Sequence, residues 1–209
     1  MTNAELRALR IQMNPHFIFN SLNSIQYYVL NSDSKTAYKY LTKFSSLMRR
    51  TLQNSKENFL PIKDELESLE LYLELENMRL ENTLDIKIHT DPEIDKERTL
   101  VPTLFMQPFV ENAIIHGLLP KNGDRKIQIL IEQMDQGIRC VIEDNGIGRD
   151  ASRELNKKRN RSHQSTALIA IENRIKILNA SANTKIKMEI IDLQVENIPT
   201  GTRVILEVA

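Results

Sequence analysis

A histidine placed directly after a proline is the first point in this chain where chemistry is available. His16 sits in the run Asn14-Pro15-His16-Phe17-Ile18-Phe19-Asn20. Leu6, Leu9, Met13 and Phe17 recur at helical spacing, so a helix is expected to pass through the run. Pro15 lacks an N–H and should kink that helix beside the imidazole. Imidazole is largely unprotonated near neutral pH and is nucleophilic, so a reachable one suits accepting a phosphoryl group. A lone helical histidine is nevertheless more often an ordinary surface or core residue, and no spacing around His16 signals a metal site or a catalytic triad.

Two further places carry polar groups where apolar ones would continue the pattern. Phe105, Phe109, Asn112 and His116 are spaced by four, three and four, which puts them on one face of a helix expected over Pro102 to Gly117. A carboxamide ending an apolar stripe can ligate magnesium beside phosphate oxygens; the alternative is the half-exposed tail of an amphipathic helix. In the strand Ile138, Cys140, Ile142, Asp144, the carboxylate falls on the same face as three apolar residues. It therefore needs a donor, and an amino group such as that of adenine would serve. Asn145-Gly146-Ile147-Gly148 follows, with glycines where a backbone must turn sharply or lie close to a ligand. An Asn-Gly turn explains the same residues locally, but a tight hairpin should lead straight into another strand. Here the polar stretch Arg149 to Ser165 follows instead, holding Lys157, Lys158, Arg159 and Arg161. It reads as a solvated linker or as a mobile flap whose cations meet phosphate.

The elements that must position these groups divide the chain in two. Roughly the first eighty residues carry helical periodicity. A first helix is expected from Ala4 to Val29, and Asn31-Ser32-Asp33-Ser34 supplies a turn and an N-cap. Ala37, Leu41, Phe44, Met48 and Leu52 then form the apolar stripe of a second helix. Pro61 opens a third, in which Ile62, Leu66, Leu69, Leu73 and Leu80 keep a near-heptad register interrupted by Glu76. Two long helices with more apolar surface than they can bury on each other predict a dimer. From Leu84 strand-like alternation takes over, giving domains at 1–82 and 83–209. Strands are expected near Lys126 to Met134, Ile138 to Asp144, Lys185 to Asp192 and Thr202 to Val208, with a helix ending at Asn179. This describes an α+β layer structure with helices on one face of a sheet.

Composition narrows the function classes. The 28 basic and 28 acidic side chains of the 209-residue chain cancel, which removes any general electrostatic case for nucleic acid or an anionic membrane surface. The one cysteine, Cys140, can form no intramolecular disulfide and favours a reducing compartment, the cytoplasm by default. No apolar run approaches the roughly 18 residues that span a bilayer, and the first residues lack the apolar core of a signal peptide. The helical pattern begins almost at once, as expected of the tail of a longer protein.

In this order the motifs resemble the GHKL ATP-binding fold, and Asn14 to Asn20 is similar to the phosphoacceptor run of LytS-type bacterial sensor histidine kinases. Pro108-Phe109-Val110-Glu111-Asn112-Ala113-Ile114-Ile115-His116-Gly117 resembles that family's N box, and Glu143-Asp144-Asn145-Gly146-Ile147-Gly148 its first glycine box. The resemblance implies an N-terminal helical hairpin for dimerisation and phosphotransfer, followed by an α/β sandwich that binds ATP with Mg2+. It implies that His16 accepts the γ-phosphoryl group, that Asn112 coordinates magnesium, that His116 lies near the phosphates, and that Asp144 hydrogen-bonds adenine. Gly117, Gly146 and Gly148 would line the nucleotide, Thr202 of Gly201-Thr202 would approach the adenine, and Lys157 and Arg159 would act from the lid. Asn20, one turn after His16, either orients the ring or the incoming phosphate or plays a capping or surface role.

Two departures stand out. Ile115 replaces a common lysine, and Ser162-His163-Gln164-Ser165-Thr166-Ala167 stands where a second glycine box belongs. The implied function is the cytoplasmic core of a two-component sensor kinase. It would autophosphorylate His16 and pass phosphate to an aspartate on a response regulator receiver domain, and it would reach the bacterial inner membrane only through an upstream segment. The alternative is a degenerate GHKL module that binds nucleotide without efficient autophosphorylation.

Overall fold

The computed structural model describes residues 15–158, 164–181, 184–196 and 198–209. The kink expected beside Pro15 involves residues outside this set. The chain forms two compact units, Met1–Thr83 with Lys96–Phe105, and Leu84–Asp95 with Met106–Ala209.

In the first unit, helices α1 (Pro15–Leu30), α2 (Ser34–Asn54) and α3 (Ile62–Arg79) pack on one another. Asp33 caps α2, accepting from the Thr36 amide at 3.0 Å, and the preceding Ser32 takes the left-handed conformation at φ 59° that closes the turn. The buried positions of α2 are Ala37, Tyr40, Leu47 and Thr51; of the expected stripe Ala37 is buried and Phe44 and Met48 are half-buried. Leu41 and Leu52 face outward, at 47% and 44% exposure. The reason lies on the neighbouring helices. Tyr40 Oη lies 3.4 Å from Ser21 Oγ, a polar contact that lets a large ring turn inward in place of Leu41. Phe17 packs against Phe44 and Tyr72 with ring centroids 6.2 and 5.1 Å apart. Glu76, the polar interruption in the α3 register, is buried and engaged by the Arg79 guanidinium, whose Nε donates at 3.1 Å.

A two-stranded ribbon completes this unit: β1 (Phe59–Pro61) pairs antiparallel with β3 (Leu100–Pro102). The helix expected to start at Pro102 therefore starts later. Pro102 ends an edge strand, where its missing N–H does no harm, and Pro108 is the proline inside a helical first turn. Leu104 bridges the two at φ 54°, and its amide donates to the buried Glu65 carboxylate at 3.1 Å.

In the second unit, five strands run in the order β2-β4-β5-β7-β6. They are β2 (Leu84–Thr90), β4 (Arg125–Gln133), β5 (Ile138–Asp144), β6 (Ile186–Val195) and β7 (Ile198–Val208). Only the β2–β4 pairing is parallel. Ile127, Ile129, Ile131, Ile138, Cys140, Ile142, Val204 and Leu206 bury one face. Against it lie a π-helical turn (Ala113–Leu118), which continues α4 (Gln107–Asn112), and α6 (Gln164–Ser181). The stretch expected to be an irregular flap is partly helical, α5 (Arg149–Lys158). It has no apolar stripe; its start is held by the Arg149 guanidinium gripping Asp192 through two 2.6 Å bonds and by the Ser152 amide donating to Gly148 O at 3.2 Å. No helix among the described residues is long and apolar enough to cross a membrane.

Candidate functional site

Asp144 ends β5 in the middle of the sheet, flanked by Ile127 on β4 and Thr202 on β7. Period-2 alternation carries it to the buried face, where only 5% of its surface remains exposed. Its carboxylate accepts the Gly146 amide at 2.7 Å and a second amide from Thr202. Burial nonetheless pushes the carboxyl up to about 6; the two amides and the ammonium of Lys121 pull it down, and Glu143 adds to the rise. The folded value lies above the ordinary one, so this group favours folding fully below about pH 4 and loses that contribution as pH rises through about 6. At neutral pH the ionised form costs the fold about 3 kcal/mol. A ligand that donates to this carboxylate would offset part of that cost.

Two glycines let backbone close on the carboxylate. A Cβ on Gly117 would stand 2.9 Å from Asp144 Oδ1, and one on Gly146 would stand 2.6 Å from the same oxygen and 2.5 Å from Gly117 Cα. The Ile147 amide donates to Gly117 O at 3.1 Å, which joins the two segments. Gly117 is delivered by the π-helical turn, whose wider winding starts immediately after Asn112. Such turns recur at functional sites because they re-aim the residues that follow. Asn112 and His116 are both half-buried. Phe105 precedes the helix and belongs to the first unit, so the face expected to run from Phe105 to His116 does not exist as one helical stripe; the π-helical winding changes its phase beyond Asn112 as well.

Among the described residues, no group of three or more His, Cys, Asp or Glu stands together to hold a metal by itself. A cation shared with phosphate oxygens needs only one or two protein ligands, and the Asn112 carboxamide has the hard oxygen for one.

The profile of the histidine kinase family matches residues 4–84. Sensor protein LytS of Staphylococcus haemolyticus is 34% identical over 150 residues, covering 72% of this chain and 25% of that protein. Sensor histidine kinase YpdA of Escherichia coli is 34% identical over 148 residues, covering 70% of this chain and 25% of that protein. This chain belongs to the LytS-type sensor histidine kinases. It spans about a quarter of the length of the curated relatives it matches. Its fold is shared with the histidine kinase domain of a blue-light activated histidine kinase from Erythrobacter litoralis, at a TM-score of 0.50 and 12% identity over 93% of this chain and 95% of that one.

In this sensor kinase chain the expected site residues fall into three sets. Asp144, Gly117, Gly146 and Thr202 come together at one end of β5. Gly148 stands nearby in the left-handed region at φ 78°, against Pro199, and Asn112 and His116 lead to Gly117 through the π-helical turn. His16 and Asn20 lie in the other unit on α1, where the carbonyl of Asn20 accepts the Ser24 hydroxyl at 3.0 Å. The side chain of His16 lies outside the described residues. So do that of Lys157, at the end of α5, and the whole of Arg159. The sequence reading passed over Lys121, whose Nζ donates to the main-chain carbonyl of Asn145. A single lysine in a loop carries no periodic or motif signal that would have found it.

Proposed function

We propose that this chain is the catalytic core of its sensor kinase, binding ATP with magnesium and transferring the γ-phosphoryl group to His16. The observation that carries this reading is the buried Asp144 carboxylate, closed in by Gly117 and Gly146, in a chain that also holds the Asn14 to Asn20 run. An adenine amine donates to Asp144, and Thr202 flanks the base. Gly146 and Gly148 keep the following loop free of side chains, and His116 stands toward the phosphates. Bound magnesium, with Asn112 as one ligand, neutralises charge on the phosphate oxygens.

An imidazole nitrogen of His16 forms the N–P bond with its lone pair as the γ-phosphorus–oxygen bond breaks, ADP leaves with that bond's electron pair, and the proton on the other ring nitrogen passes to solvent. Asn20 orients the ring, and Lys157 and Arg159 approach the phosphates from the lid. In a second step a receiver-domain aspartate takes the phosphoryl group and the N–P bond breaks. The test is incubation with γ-labelled ATP and magnesium; the expected product is label on protein that is acid-labile and base-stable.

Asp144→Asn is expected to weaken ATP binding by about 1 to 3 kcal/mol, the range for a buried charge-assisted hydrogen bond. Since the ligand requires the ionised carboxylate, adenosine affinity should hold above about pH 7 and fall roughly tenfold by about pH 5. Adenosine avoids the titration of the phosphates themselves. Calorimetry checks both points: a flat profile in wild type, or unchanged affinity in Asp144→Asn, would place the base elsewhere.

The working unit is a homodimer through α1 and α2. Phe19, Leu30 and Tyr38 stand 66%, 74% and 74% exposed on these helices, more apolar surface than a soluble monomer usually leaves in water. Sedimentation at micromolar concentration should give twice the monomer mass, and a lone monomer would rule this out.

A further inference from the structure

The loop from the π-helical turn to β4 holds a lysine whose ammonium is committed to the main chain. Lys121 Nζ donates to Asn145 O. The turn that carries it is itself tied down: the Lys121 amide donates to Leu118 O at 3.1 Å, and Arg125 Nη2 donates to the carbonyls of Leu119 and Lys121 at 3.5 and 3.2 Å. A lysine gives up more rotamer freedom than most residues when held. A neutral carbonyl alone is a weak reason to hold one.

The identity of that carbonyl supplies the reason. Asn145 O and Gly146 N belong to a single peptide group, and its N–H donates to Asp144 Oδ1 at 2.7 Å. Lys121 and Asp144 therefore grip opposite ends of one planar amide. Planarity converts a fixed carbonyl into a fixed N–H, and a cation on the oxygen polarises the group and strengthens the N–H as a donor. The side chain of Asn145 keeps the peptide from swivelling, since its Oδ1 accepts the Lys126 amide at 2.8 Å and its Nδ2 donates to Asp124 O at 3.2 Å. Asn145, which reads in the sequence as a turn former, is thus the staple of this arrangement.

We propose that Lys121 is a positioning residue of the nucleotide site: acting through the Asn145–Gly146 peptide group, it fixes the Asp144 carboxylate in the orientation that receives an exocyclic amine. This rests on the nucleotide reading above. Of the charged groups around Asp144, Glu143 beside it on β5 opposes ionisation and Lys121 favours it; His116 adjoins Gly117, where an added Cβ would stand 2.9 Å from the carboxylate. Lys121 is the cation of this set that also holds the loop.

The experiment compares wild type, Lys121→Met and Lys121→Arg by carboxyl 13C titration of Asp144 in ligand-free protein and by adenosine calorimetry from about pH 5 to about pH 8. In Lys121→Met the Asp144 midpoint should rise by roughly half a pH unit or more. Adenosine binding at neutral pH should weaken by about three- to tenfold, and the acid limb of the binding profile should move by the same shift. Lys121→Arg should restore most of both. An Asp144 midpoint unchanged in Lys121→Met overturns the proposal, as does a loss of binding that keeps the wild-type pH profile. The carboxyl titration needs no ligand, so a wild-type protein that binds no adenosine would count against the nucleotide reading while the titration still decides the role of Lys121.

Discussion

His16→Gln should remove all acid-labile, base-stable phosphate from the protein while leaving its affinity for ATP unchanged. His16 belongs to α1 in the helical unit, whereas Asn112, Gly117, Asp144 and Thr202 all belong to the unit built on the five-stranded sheet. Glutamine is a good helix former and keeps a polar side chain, so the helix survives and only the nucleophile is lost. Asn112→Ala should instead lower magnesium-dependent binding and labelling together by about tenfold or more. The pair is informative because His16→Gln removes labelling with binding intact, whereas Asn112→Ala removes labelling through the loss of binding. Labelling that persists in His16→Gln would mean another acceptor. Wild-type protein that binds ATP to saturation and stays unlabelled would favour the degenerate nucleotide-binding module.

A large effect on stability is expected at Gly201. Its φ of 149° lies where L side chains rarely go, and a Cβ there would stand 1.9 Å from the carbonyl oxygen of Asp144 on the paired strand. Both partners are main chain in the middle of a sheet, so no flexible side chain can swing away. Gly201→Ala must separate β5 from β7 where they hold Asp144 opposite Thr202, or be refused. We expect a loss of about 3 to 5 kcal/mol, toward the upper end for single substitutions, and a fall in Tm of about 10 °C or more. Thermal unfolding followed by circular dichroism checks this; a Tm within about 2 °C of wild type would show that the strands can give.

Much of the sheet unit was legible because its signals are local. Alternation along Ile138, Cys140, Ile142 and Asp144 defines both the strand and the buried end at which the carboxylate sits. The ribbon of Phe59–Pro61 with Leu100–Pro102 was not legible, since three-residue strands are too short for periodicity and each ends in proline. The inward face of α2 turned on Tyr40, which helical spacing alone ranks below Leu41, and the choice was made by Ser21 on another helix. Helix α5 depends on Arg149 meeting Asp192, 43 residues later, and no window of sequence contains that pair. Lys121 was hidden for the same reason: its acceptor lies 24 residues away.

The chain's return to the helical unit between Lys96 and Phe105 limits how evolution and engineering can shuffle this protein. A chain cut after Thr83 would keep β1 but lose β3, leaving Phe59–Pro61 as an unpaired edge open to other chains. It would also leave the buried Glu65 carboxylate without the Leu104 amide. A sheet unit grafted from a relative at that single point would therefore bring its own third strand to a foreign partner. Exchange of one half for another has to carry two separate stretches of sequence together, so lineages in which the two halves have distinct ancestries should be rare.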